Sequence, residues 1–117
     1  MGTRDRDTGD LLQGTLAILI LKALLTAPAH GFAIARWIEA TTDDVLRIEE
    51  GSLYPALRRC EDSGWVTSEW GVSDNNRRAR FYSITRKGRA HLRAEASTWI
   101  RYASAVTRVL RTSPSVA

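Results

Sequence analysis

The sequence predicts a mainly α domain carrying a small β-hairpin, with one long helix appended. Three observations predict it. Apolar residues recur at helical spacing in three short segments before residue 65. Two segments rich in β-branched and aromatic residues, WVTSEW and RFYSIT, then flank a polar connection. The last part of the chain returns to a helical period and keeps it almost to the end.

The first helix is expected from Asp10 to Leu25. Asp10 is a fitting N-cap, and Leu12, Leu16, Leu19, Ile20, Ala23 and Leu24 follow at helical spacing. Its apolar residues cover more than one stripe, so burial on two sides is expected. Pro28 closes it. A second helix follows the turn at APAHGF, with Phe32, Ile34, Ala35 and Ile38 on its inner side. The cluster Thr41-Thr42-Asp43-Asp44 is a loop signal.

Gly51-Ser52 is expected to open the third helix, with Ser52 as cap and Pro55 in the first turn or so, where its missing N–H costs least. Leu53, Leu57 and Cys60 share one side at i, i+4 and i+7 and are expected to face the core. Ser52, Tyr54, Pro55, Arg58 and Arg59 lie more outward. Gly64 is a suitable residue to end this helix. The hairpin follows, with GVSDNNRRA as a long basic tip. Thr85 is expected to cap the last helix, and the tail from 112 to 117 is expected to fray. The expected organisation is a flexible N-terminus over 1–9, a three-helix-plus-hairpin domain over 10–85, and the appended helix over 86–111.

That order of three short helices, strand, basic loop, strand and long helix is the layout of a winged helix-turn-helix. A helical bundle has no need of the hairpin, and a ferredoxin-like sheet needs more strands.

The chain has 117 residues, 44% of them hydrophobic, enough for one domain with a modest core. Its longest apolar run, Leu16 to Leu21, is too short to span a bilayer. Residues 1–10 are polar and lack a signal-peptide core, so a cytoplasmic location and no membrane partner are expected. The single cysteine, Cys60, cannot form an internal disulfide.

Charge is unevenly placed. Residues 1–74 carry seven Lys/Arg against twelve Asp/Glu, whereas residues 75–117 carry ten Lys/Arg against one acid, Glu95. The net charge is +4 and the isoelectric point about 9.8. A cationic field of this kind suits a polyanion, most often nucleic acid.

The second helix of a helix-turn-helix presents its N-terminal part to base edges in the major groove. Arg pairs bidentately with guanine, and Ser and Tyr bind phosphate or base. The candidate DNA-binding residues are therefore Ser52, Tyr54, Pro55, Arg58 and Arg59, joined at the hairpin tip by Asn76, Arg77, Arg78 and Arg80. Arginine at a wing can grip the backbone or enter the minor groove. The competing readings are solvated arginines, a Tyr54 packed on a neighbour and an ordinary polar loop.

Leu92, Ala96, Trp99, Ala103, Val106 and Leu110 are spaced 4, 3, 4, 3, 4, a heptad stripe. The stripe needs another surface. A two-fold partner is the simplest supply, and a homodimer would set two reading heads about one duplex turn apart. The other supply is the first helix of the same chain. Trp99 can also line a pocket for a flat aromatic ligand, or simply pack the seam.

Catalysis has little to stand on. His30 and His91 show no local nucleophile–base pattern, Cys60 lies on the inner side, and two His and one Cys far apart make no zinc site. No cofactor, metal or catalytic residue is expected. The rival function is a winged-helix module that docks an acidic protein through its basic wing.

The stretches LLQGTLAILILKAL, HGFAIARWIE, EEGSLYPALRRCEDSGWV and NNRRARFYSIT together resemble the PadR family of bacterial transcriptional regulators, over roughly residues 10–88. The resemblance implies a dimeric winged-helix transcription factor, usually a repressor, of the short form with a single C-terminal dimerisation helix. It implies DNA contacts at Ser52, Tyr54, Pro55, Arg58 and the wing arginines. It also implies an effector of phenolic or hydrophobic drug type, with Trp99 placed where a ligand-stacking tryptophan would fit. Similar short proteins often regulate membrane transporters. Cys60 departs from the pattern, since many relatives carry a larger apolar residue there.

Overall fold

The computed structural model describes residues 9–115. The elements are α1 (Gly9–Ala23), β1 (Ala29–His30), α2 (Gly31–Thr41), α3 (Glu50–Asp62), β2 (Val66–Val72), β3 (Arg78–Ile84) and α4 (Arg86–Arg111). The expected winged helix-turn-helix with a long C-terminal helix is the fold observed. Asp10 is a correction: helix α1 already includes Gly9, so Asp10 lies within the helix and does not cap it. Most of the N-terminal tail and the last two residues of the C-terminal tail lie outside the described residues.

Helix α1 is the central post. Leu16, Ile20, Leu21 and Leu24 are all buried, and the helix touches α2, α3 and α4. Burial on several sides explains why its apolar residues outrun a single stripe. Ile34 and Ile38 close the core from α2, and Leu53, Ala56, Leu57 and Cys60 close it from α3. Phe32 is a correction. It is 61% exposed, because two residues before Ile34 puts it about 200° around the helix.

The turn between α2 and α3 is held by one carboxylate. Glu39 Oε2 accepts the Ile48 backbone N–H at 2.9 Å and lies 3.8 Å from Arg47 Nε. Asp43 and Asp44 both have positive φ, 51° and 64°, in the left-handed region that Asp tolerates better than most residues.

The sheet has three strands in the order β1-β3-β2, all antiparallel. The hairpin was expected, and β1 was not. It pairs Ala29 with Tyr82 and His30 with Phe81. A two-residue strand that runs straight into a helix carries no periodicity for a sequence to show. It matters because it ties the root of the wing to the start of α2.

Both expected junctions around α3 and α4 are made. Gly64 has φ +80°, and the Trp65 and Gly64 N–H groups bond back to Cys60 O at 2.9 Å and Glu61 O at 3.0 Å. This is a Schellman closure, which needs a left-handed residue where Gly64 sits. Thr85 Oγ1 accepts the Gly88 N–H at 3.0 Å as the cap of α4. A side chain at Gly88 would run into the Trp65 carbonyl, so that glycine sets how closely α4 lies on β2. His91 then stacks on Trp65, with ring centroids 3.7 Å apart.

The radius of gyration is 16.5 Å, above the roughly 13 Å of an average globular chain of this length. Two arms account for the excess: the wing and the outer half of α4.

Candidate DNA interface

Helix α3 divides as its spacing predicts. Leu53, Leu57 and Cys60 are buried, whereas Ser52, Tyr54, Pro55, Arg58 and Arg59 are exposed. Its start is a correction. The helix begins at Glu50 with Glu49 as cap, and Glu49 makes no side-chain capping bond. Ser52 is therefore the third residue of the helix, its N–H bonded to Glu49 O at 3.0 Å. Pro55 falls in the second turn, where its ring removes the bond to the Gly51 carbonyl. Both residues remain on the outward side.

Tyr54 is half exposed and also packed. A Cβ placed on Gly31 would stand 2.9 Å from the Tyr54 hydroxyl oxygen. Glycine at the first position of α2 is what lets the phenol lie across that helix start. His30 stands just before it, and its Nδ1 accepts the Ala33 N–H at 3.2 Å, capping α2. The HGF stretch of α2 and the GSLYP stretch of α3 thus meet at one place, with the Tyr54 edge still open to solvent.

The wing is shorter at its tip than expected. Strands β2 and β3 pair from Val66–Ile84 out to Val72–Arg78. Only residues 73–77 form the connection. It is closed by Ser73 N–H to Arg77 O and Asn76 N–H to Ser73 O, both at 2.8 Å, with Asn76 at φ +61°. Arg77 and Asn76 are on this tip. Arg78 and Arg80 are on β3 itself, so the expectation that all of them share one loop is corrected. The strand alternation puts Arg78, Arg80 and Tyr82 on one face, with their cross-strand partners Val72, Trp70 and Ser68.

That face looks toward α3. Ser68 Oγ donates to Glu61 Oε2 on α3 at 2.8 Å, and Arg80 Nε donates to Ser68 Oγ at 3.0 Å. Tyr82 is buried below them. Its hydroxyl pKa is raised by burial first and by the Glu61 charge second, with Arg80 and Arg58 opposing. The outward side of α3 and the arginine face of the wing are therefore neighbours. Among the described residues the one ion pair is Arg47–Glu39. Among those residues no carboxylate pairs directly with Arg58, Arg59, Arg77, Arg78 or Arg80.

The sequence model of the transcriptional regulator PadR-like family matches residues 20–94. The chain belongs to the PadR family. It is 31% identical over 91 residues to an uncharacterized protein from Lysinibacillus sphaericus, covering 77% of this chain and 83% of that one. A PadR family transcriptional regulator from Eggerthella lenta is similar in structure, with TM-score 0.71 and 31% identity over 91% of this chain and 90% of the other. A transcriptional regulator from Clostridium thermocellum is similar too, with TM-score 0.76 and 26% identity over 85% and 96%. PadR proteins are transcriptional regulators that bind DNA.

The stripe on α4 splits in two. Leu92 is buried in the chain's own core, and Ala96 packs against that core. For these two residues the covering surface is the chain itself. Trp99, Val106 and Leu110 are exposed and Ala103 is partly so, with Ile100, Tyr102 and Val109 exposed beside them. Trp99, Ile100, Ala103, Ser104, Thr107 and Arg108 line an open hollow on this one helix. No helix among the described residues is long and apolar enough to cross a membrane.

Cys60 is fully buried, and burial pushes its thiol up to about 11 despite the opposing charge of Arg59. It is a small core residue, as its spacing predicts. Three contributors around the wing escaped sequence reasoning: Glu61, Ser68 and Trp70. The signal that finds them is the cross-strand register, which pairs Trp70 with Arg80 and Ser68 with Tyr82.

Proposed function

We propose that this PadR protein is a homodimeric, sequence-specific repressor of the cytoplasm that binds a palindromic operator. The unit over 10–85 reads DNA and the helix over 86–111 dimerises. Ser52, Tyr54, Pro55, Arg58 and Arg59 enter the major groove from α3. Asn76, Arg77, Arg78 and Arg80 hold the adjacent backbone or minor groove. The outer half of α4, from Trp99 through Leu110, meets its counterpart across a two-fold axis. A small hydrophobic or aromatic effector bound beside Trp99 changes the separation of the two heads and releases DNA. That step is linkage between two binding equilibria, with no bond chemistry.

The observation that carries this reading is the arginine surface shared by α3 and the wing, which pairs with no acid among the described residues. A solvated polar face would gain from interspersed acids. A phosphate-binding face is weakened by them.

The test is a mobility shift with two duplexes, one from upstream of the protein's own coding region and one of random sequence, across a salt series. Specific repression predicts tighter binding to the upstream duplex by about 10³-fold or more. Both affinities should fall steeply with salt. Equal shifts for both duplexes would contradict specific repression. Binding to neither, with capture of an acidic protein instead, would favour a docking module.

A further inference from the structure

Trp70 stands 54% exposed on the wing face that looks toward α3. Two cations share its ring. Arg78 Cζ is 4.4 Å from the ring centroid and Arg80 Cζ is 5.3 Å away. Like charges two residues apart on one strand face repel each other. A ring quadrupole within reach of both offsets that repulsion and holds both guanidinium groups at one ring.

Arg80 is fixed a second time. Its Nε is committed to Ser68 Oγ, whose proton is committed to Glu61 Oε2. The chain Arg80–Ser68–Glu61 runs from the wing to the last turn of α3. Among the described residues no acid pairs directly with either arginine. Their terminal N–H groups therefore stay available while the guanidinium groups are held beside the ring. An arginine ordered in advance loses less side-chain freedom when it meets a phosphate.

We infer that Trp70, with Ser68 and Glu61, forms a positioning platform that presents Arg78 and Arg80 to DNA phosphates and locks that presentation to α3. Trp70 acts through the two arginines and reads no base. The inference rests on the DNA-binding reading above, and the experiment separates the two.

The probe is a labelled random-sequence duplex followed by fluorescence anisotropy over a salt series, with the full chain. Trp70→Leu should weaken binding about tenfold, with the salt slope unchanged because the phosphates contacted stay the same in number. Trp70→Phe, which keeps a ring, should recover most of the loss. Replacing both Arg78 and Arg80 by Ala should reduce the slope by about two. In that background Trp70→Leu should have no further effect. Ser68→Ala should weaken binding several-fold and be silent when Arg80 is Ala. It also serves as the second variant should Trp70→Leu fail to fold.

Trp70→Leu binding within twofold of the wild type would overturn the inference. A loss that persists undiminished without the arginines, or one that Phe does not rescue, would overturn it as well. A wild-type chain that binds no duplex would instead overturn the DNA-binding reading.

Discussion

The wing and the outer half of α4 both leave the core, and both carry an exposed tryptophan. They are finished differently. Trp70 lies under two arginines of its own chain, and Arg80 Nε, Ser68 Oγ and Glu61 Oε2 form a continuous hydrogen-bond chain beside it. Trp99 has no cation over it among the described residues, and Ile100, Tyr102, Val109 and Leu110 along the same outer half of α4 are open. The wing is a surface completed within one chain and left cationic, which suits a polyanion. The helix is an apolar surface left incomplete, which suits another apolar surface. Under the proposed function, the contrast separates the surface for the target from the surface for a second copy.

The largest effect should come from spoiling the incomplete arm. Val106→Asp with Leu110→Asp is expected to give a monomer by light scattering. Losing one head of a bivalent grip should then lower affinity for the upstream duplex by about 10²-fold or more. A dimer that survives both charges would move the self-contact elsewhere.

The next effect divides the stripe on α4 itself. Leu92→Ala removes a buried side chain and should destabilise the fold by about 2–5 kcal/mol, measured by urea unfolding, at any protein concentration. Leu110→Ala, on the exposed end, should leave the monomer within about 0.5 kcal/mol and act only through association. Equal effects at the two positions would erase the distinction between the docked and free halves of α4.

The smallest effect concerns the core that both arms share. The Cys60 thiol is raised from its usual 9.0 to about 11 by burial. The folded chain therefore holds that proton where the unfolded chain releases it. The stability involved is intact below pH 9 and is lost as pH rises toward 11. Tyr82 shifts in the same direction, from burial and then from Glu61. Cys60→Ala should flatten part of the alkaline fall in the unfolding midpoint. At pH 8 the native thiol should react with alkylating reagents far more slowly than the unfolded one.

What the sequence could reveal followed physical range. The inner side of α3 was legible because Leu53, Leu57 and Cys60 need only helical geometry. Gly64 and Thr85 were legible because caps are local chemistry. The α4 stripe was legible as a stripe, but spacing cannot say which surface covers it. Leu92 and Ala96 went to the core of the same chain, and the positions beyond them stayed largely open. The start of α3 lies before its expected place because Gly51-Ser52 looks like a capping pair, while Glu49, the actual cap, uses only its backbone. The platform at Trp70 was invisible because it depends on which residue of β3 lies opposite it. Two turn bonds at Ser73 set that register, and the turn residues alone do not disclose it.

The central claim is that α3 reads bases while the wing holds phosphates. The most direct test measures Arg58→Ala and Arg78→Ala against the upstream duplex and a set of its single-base variants. Arg58→Ala should cost about 1–3 kcal/mol and remove discrimination at one position. Arg78→Ala should weaken every duplex by the same factor and lower the salt slope by about one. If Arg58→Ala leaves every base preference intact, or if Arg78→Ala alters the preference at one position alone, the division of labour between the helix and the wing is wrong.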